Sequence, residues 1–300
     1  MIRPLQSHDA LLADIRASDR RDGSFRLWWL GQSGFLLQWQ GIHVLLDPYL
    51  SDSLPKKYEH SDKPHVRMTE LVIDPARLAF ADVATSTHSH TDHLDAETLK
   101  PILAQNPNLK LVIAEANRAL VAERLAIELR IPIGVDDGTS VEVSGIRFSG
   151  IASAHETVEC DEHGRARFLG YVLQFGQWVI YHSGDTIRYP GMAEKLRSFG
   201  VHVAILPING RAPERRVPGN LSGPEAAHLA KDMAAELVIP CHFEMFEFNT
   251  ASPDEFVLEC RRLGQQYRIL RCGERWDSKS LSERDKEKKG SQNGQVTSTS

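Results

Sequence analysis

Short runs dense in aromatic and β-branched residues alternate along the chain with segments of helical period. The first three runs cover 25–30, 34–39 and 42–46, and Gln40-Gly41 predicts a two-residue hairpin turn between the second and third. Further strands are predicted over 83–87, 109–114, 140–143, 146–152, 169–175, 178–181, 201–206 and 237–240, with a second tight turn at Gly176-Gln177. Apolar residues at helical spacing predict helices over 96–104, 115–129, 191–198, 224–235 and 253–263. Ser222-Gly223-Pro224-Glu225 reads as a helix start, because Ser can cap, Glu can reach back and Pro needs no donor in the first turn. Turn-linked early strands favour antiparallel pairing. Later strand–helix alternation favours parallel units, so the fold class is α/β.

From Asp277 to Ser300 the pattern stops, and only Leu281 and Val296 are aliphatic or aromatic. Such a segment cannot offset its ordering entropy by burial. The expected organisation is one folded domain over 1–276 and a disordered polar tail over 277–300. Of the 300 residues, 41% are hydrophobic and 25% charged, which excludes collagen-like, prion-like and wholly disordered chains. Lys and Arg number 35 against 40 Asp and Glu, for a net charge of −5. The balance gives no general attraction to nucleic acid or an anionic membrane, and neither is expected as a partner. No stretch approaches the roughly 18 apolar residues of a membrane span, and residues 1–20 carry no signal-like apolar core. Cys160, Cys241, Cys260 and Cys272 form no C-x-x-C pair, so the expected compartment is the reducing cytoplasm.

The segment His88-Ser89-His90-Thr91-Asp92-His93 carries the chemistry. It follows a predicted strand and precedes a helix. Extended backbone points His88 and His90 the same way, while Asp92 and His93 converge from the turn. Three imidazoles and a carboxylate exceed what one tetrahedral ion needs locally, and the spacing suits two adjacent metal ions. The plainer reading is a His-rich surface turn.

This His-x-His-x-Asp-His motif resembles that of the metallo-β-lactamase superfamily of metallohydrolases. The resemblance implies three further ligands, each just past a predicted strand: His155 after Ile151-Ala-Ser-Ala, Asp185 after His182-Ser-Gly, and His242 after Pro240-Cys. In the implied site, His88, His90 and His155 hold one metal, Asp92, His93 and His242 hold the other, and Asp185 bridges both. Asp92 is also the implied catalytic group that aligns water and takes its proton. The donors suit Zn²⁺ or Mn²⁺, with Fe²⁺ also compatible. Val44-Leu-Leu-Asp47-Pro48 resembles the superfamily strand that ends in an Asp near the metals. Asp47 and His182 are the residues expected behind the ligands, and Cys241, beside His242, is expected in the core.

Leu30-Gly-Gln-Ser-Gly34, Pro207-Ile-Asn-Gly-Arg211, Gly219-Asn-Leu221 and Ile239-Pro-Cys-His-Phe-Glu-Met-Phe246 are similar to one branch, the L-ascorbate-6-phosphate lactonase-like proteins. That branch implies a single-domain αββα sandwich and is compatible with homo-oligomers. In the 209–220 loop, Arg211, Arg215, Asn209 and Asn220 are candidates to bind an anionic substrate, since guanidinium forks match phosphate and carboxylate. His8, His60, His65 and His163 lie in polar loops and read as bystanders. The expected function is hydrolysis of a small anionic ester, such as a phosphorylated sugar lactone, by hydroxide generated between two divalent ions. The alternatives are a phosphodiesterase for nucleotides or phospholipids, a metal-stabilised binding protein without turnover, and a redox di-iron site.

Overall fold

Three consecutive strands, β1 (Phe25–Gly31), β2 (Gly34–Trp39) and β3 (Ile42–Leu46), form an antiparallel meander. Gln40 and Gly41 turn β2 into β3 with φ of 52° and 84°, the left-handed pair that a two-residue hairpin requires. β4 (Val83–Ser86), β5 (Lys110–Ala114) and β6 (Ile133–Val135) then add in parallel beyond β3. A second sheet begins with the antiparallel strands β7 (Ser140–Val143), β8 (Ile146–Ala152), β9 (Leu169–Phe175) and β10 (Trp178–His182). It ends with the parallel strands β11 (Val203–Pro207) and β12 (Leu237–Cys241). A further strand, β13 (Arg275–Asp277), returns to the first sheet beside β1. This computed structural model describes residues 1–18 and 21–281.

The two sheets pack face to face. Leu27, Trp29, Phe35 and Leu37 of the first meet Phe148, Tyr171, Leu173 and Ile180 of the second, all buried. The other face of the first sheet, with Trp28, Leu30, Leu36 and Leu45, is covered by α1 (His8–Ala17), α3 (Ala96–Gln105) and α4 (Arg118–Leu125). α5 (Met192–Arg197), α6 (Gly223–Asp232) and α7 (Asp254–Leu263) cover the second sheet. A short α2 (Ser53–Tyr58) follows β3. The molecule is thus the single-domain αββα sandwich that the resemblance implies. Strands covered on both faces read as continuous apolar runs, which is why their pattern was so clear.

The Ser222 capping box forms as expected, with both reciprocal hydrogen bonds present. α1, α2, β6 and β13 had no expectation. β6 and β13 have three residues each and are fixed by ladder partners, not by their own pattern. The helix expected over 115–129 is shorter: a 3₁₀ turn at Glu115–Asn117 leads into α4, which ends where Ala126 turns left-handed. The polar tail also begins later than Asp277. Trp276 pairs with Leu27, the Ser278 hydroxyl accepts from the Phe25 N–H at 2.9 Å, and Leu281 is buried. Backbone pairing and one apolar anchor hold 277–281. Residues 282–300 of the expected tail lie outside the described residues. Among the described residues no helix is long and apolar enough to cross a membrane.

Candidate metal centre

The predicted ligands gather at one end of the sandwich, where several strands finish. His88, His90, Asp92 and His93 follow β4, in a turn stopped by Asp95, whose carboxylate caps α3 at the Glu97 N–H. His155 follows β8, Asp185 follows β10 and His242 follows β12. Gly184 (φ 59°) lets the Asp185 turn press against Thr87, where a Cβ would lie 2.6 Å from the threonine hydroxyl. His242 is left-handed at φ 60°. Its ring leaves the strand line while Cys241 stays in the core, 1% exposed.

Two four-residue groups result, His88, His90, His155 and Asp185, and Asp92, His93, His242 and Asp185. Within each group one donor atom per residue lies within 4.8 Å of all the others. Asp185 belongs to both. Its Oδ1 is 3.2 Å from His93 Nε2, and its Oδ2 is 3.3 Å from His155 Nε2 and 3.5 Å from His242 Nε2. Asp92 Oδ2 is 3.4 Å from His242 Nε2.

A set of outer bonds aims the rings inward. His93 Nδ1 donates to Asp47 Oδ2 at 2.7 Å, and His155 Nδ1 donates to the Gly219 carbonyl at 2.7 Å. A ring that donates through Nδ1 turns its Nε2 lone pair to the centre. Asp47 is fully buried and is itself held by the Thr85 hydroxyl at 2.9 Å and by the Thr87 N–H and hydroxyl. The Gln32 amide donates to Asp92 Oδ2 at 2.8 Å and lies 3.0 Å from His242 Nε2.

The electrostatics follow from crowding acids and imidazoles out of water. Burial disfavours the Asp185 carboxylate, but the rings of His242 and His93 outweigh it and hold its pKa well below the carboxylate range. Burial likewise opposes a charged His242, yet Asp185 and Asp92 pull its pKa up to about 9. His88, farther from the carboxylates, is pushed well below the imidazole range by burial and by the rings of His93 and His90. The carboxylates therefore call for positive charge at the middle of the cluster. Three buried inward atoms, His88 Nε2, His93 Nε2 and Asp185 Oδ1, have no hydrogen-bond partner. Divalent cations supply both the charge and the missing partners. The donor set fits a pair of them.

The family model described as the beta-lactamase superfamily domain matches residues 26–242, which run from β1 through His242. The chain belongs to this superfamily. Among its relatives in the superfamily is a "UPF0173 metal-dependent hydrolase" of Rubrobacter xylanophilus, 27% identical over 253 residues, covering 82% of this chain and 93% of the relative. A protein of the same description from Aeropyrum pernix is 29% identical over 270 residues, covering 84% and 97%. The solved metallo-β-lactamase fold protein YhfI from Bacillus subtilis superposes with a TM-score of 0.62 at 16% identity, covering 86% of this chain and 100% of that one.

Above the superfamily cluster lies a cavity of about 560 Å³, floored by His90, Asp92, His155, Asp185 and His242. Asn220 and Arg215 line it. Asn220 is 1% exposed, and neither its amide nitrogen nor its amide oxygen has a partner. Arg211 does not line it. Its guanidinium makes two hydrogen bonds to Glu225, at 2.6 and 2.7 Å, and a third to the Asn220 carbonyl at 3.2 Å. It clamps the loop from behind, because Gly219, lacking a side chain, lets its methylenes pack close. Asn209 also lies outside the lining, its amide bonded to Asn249 Oδ1 at 2.9 Å. His182 does not support a ligand: its Nε2 is bonded to the Ser33 carbonyl at 2.9 Å, and Nδ1 has no partner.

Sequence reasoning missed Gln32, Lys57 and Arg124, which line the cavity, and it took His65, which also lines it, for a bystander. Gln32 could have been found from Gly31-Gln32-Ser33-Gly34, a family-like turn between two strands. The others lie in segments without pattern. Five cationic side chains line the cavity (Lys57, Lys63, Arg124, Arg215 and Arg216) against the carboxylates of Asp62, Asp92 and Asp185. Asp62 pairs with Arg216. Among the described residues Lys57, Arg124 and Arg215 have no carboxylate at ion-pair distance; Arg215 and Arg124 are held by main-chain carbonyls.

Proposed function

We propose that this chain, a metal-dependent hydrolase of the metallo-β-lactamase superfamily, cleaves a small anionic ester at a centre of two divalent cations. The observation that carries the reading is Asp185, one carboxyl shared by two complete donor groups with different oxygens facing different rings. In this reading His88, His90 and His155 hold one cation, Asp92, His93 and His242 the other, and Asp185 both. Zn²⁺ and Mn²⁺ both suit nitrogen and oxygen donors, as does Fe²⁺. When bound, such a pair lowers the pKa of water toward neutrality and stabilises charge on the reacting oxygen.

The surrounding residues take the remaining roles. Asp92 takes the proton of the attacking water, because its side chain is 14% exposed at the cavity floor whereas that of Asp185 is 4% exposed. Gln32 holds Asp92 in place through its amide. Asn220 offers its unpartnered amide to the substrate, and Arg215 with Lys57 attracts its negative charge. A phosphorylated sugar lactone has this chemistry, with carbonyl carbon as electrophile. The surplus of cations favours a second reading, a phosphodiester with phosphorus as electrophile. The four cysteines are all free, which agrees with the proposed cytoplasmic setting.

Elemental analysis of the purified protein and of Asp185→Ala, with lactone, thioester and phosphodiester panels, tests the reading. The expected result is about two ions per chain, falling in the variant together with hydrolysis. Acid released from lactones without diester cleavage selects carbonyl chemistry. Metal-loaded protein inert to every panel would overturn the enzymatic reading in favour of a binding protein.

A further inference from the structure

The cavity floor accounts for the reacting centre but not for the cavity's size. Its 560 Å³ lies within the roughly 300–1,000 Å³ that encloses a drug-sized ligand. One wall is built of rings. Tyr58, at the end of α2, stacks on His65 with centroids 4.3 Å apart and planes 19° apart. Phe246 and Phe248 stand edge-on to His65, with centroids at 5.1 and 4.6 Å and interplanar angles of 75° and 78°. Burial lowers the His65 pKa, so at pH 7 the imidazole stacks as an uncharged heterocycle, and its buried Nδ1 has no hydrogen-bond partner. The Lys57 ammonium lies 5.1 Å from the Tyr58 ring centre. These rings line the same cavity as Asp92 and His242.

Building on the anionic-ester reading above, we propose that Tyr58, His65 and Phe248, backed by the buried Phe246, form a subsite for a flat aromatic ring of the substrate. The substrate class is then an anionic ester that carries an aryl or heteroaryl group. A flat ring gains offset-stacked and edge-to-face contacts from such a wall, and a saturated ring of equal size does not. Tyr58, His65 and Phe248 each keep part of their surface exposed. Lys57 stands where it attracts both the substrate's charge and the ring face.

The test is calorimetric binding of phenylphosphonate, cyclohexylphosphonate and methylphosphonate to the metal-loaded protein and to its Tyr58→Leu and Phe248→Leu variants. Metal content is measured in every sample. The expected result is phenylphosphonate bound about tenfold tighter than cyclohexylphosphonate, with that preference lost in both variants and methylphosphonate affinity unchanged. Equal binding of the two ring compounds by the unsubstituted protein, or a phenyl preference that survives both substitutions, would overturn the subsite alone. If none of the three phosphonates binds, the anionic-ester reading falls and takes the subsite with it. A nucleoside 5′-monophosphate bound tighter than phenylphosphonate identifies the ring as a base, and the reverse order identifies a simple aryl group.

Discussion

The floor and the walls of the cavity are built by opposite means. The floor residues follow strand ends, from one residue past β12 for His242 to six past β4 for Asp92, and the rings of His93 and His155 are tied to a buried acid and a carbonyl. The walls come from segments outside both sheets, 53–66, 212–218 and 246–249, and they meet through exposed contacts such as Asp62 with Arg216 and Lys63 with the Glu214 carbonyl. Strand ends fix positions tightly, as ion ligation demands. Loops tolerate change, as substrate selection demands. The difference teaches that reaction type and substrate are encoded in separate parts of this chain.

Four substitutions test that separation. The largest effect is expected for Asp185→Asn. Removing a charge shared by both donor groups should lower bound metal from about two ions to below one per chain and take hydrolysis to background. Full metal retention would mean that the two groups do not share a carboxylate. Next is Asp47→Asn, which weakens the hold on His93. Loss of such an outer partner typically costs about 10–100-fold in metal affinity, readable by chelator competition. A normal affinity would move Asp47 out of the centre.

Arg215→Ala addresses the wall. It should raise KM about tenfold, the worth of one charge-assisted hydrogen bond, while leaving metal content and kcat nearly unchanged. Arg211→Ala, one loop turn away but paired with Glu225, should instead weaken metal binding a few-fold through Gly219 and His155, with little direct effect on KM. Matching KM changes in the two variants would erase the distinction drawn between them.

The smallest effect concerns pH. Burial depresses the His65 pKa, so between that value and the unfolded value of about 6.5 the unfolded chain binds more protons. Stability from this group is present above pH 6.5 and is lost as pH falls through the window. The His65→Phe variant should therefore lose less melting temperature than the unsubstituted protein between pH 7.5 and 5. Parallel losses would show that the ring is not buried against the wall.

The same division governs what could be read in advance. His88, His90, Asp92 and His93 were legible from spacing, because an extended strand aims alternate residues one way and the turn concentrates donors in one place. His155, Asp185 and His242 came only through the family resemblance, and the structure gathers all seven into two donor groups. Asp47 was found through the resemblance of Val44-Leu-Leu-Asp47-Pro48 to a superfamily strand. Arg211, Asn209 and His182 were misassigned for one reason: their neighbours in sequence are near the site, but their side chains were claimed by partners distant in sequence, Glu225, Asn249 and the Ser33 carbonyl. His65 was passed over because nothing local signals that Tyr58, Phe246 and Phe248 will surround it.

By itself the sequence determined the strand and helix pattern, the hairpins at Gln40-Gly41 and Gly176-Gln177, the cap of α6 and the His88–His93 donor cluster. Each depends on period, turn geometry or spacing, and these act over a few residues. Only the tertiary structure decided which arginine faces the cavity, where β13 pairs and which rings make the wall. Those outcomes rest on contacts between segments up to some 250 residues apart, such as Phe25 with Ser278. A side chain with several available partners takes the one that the packed core brings within reach.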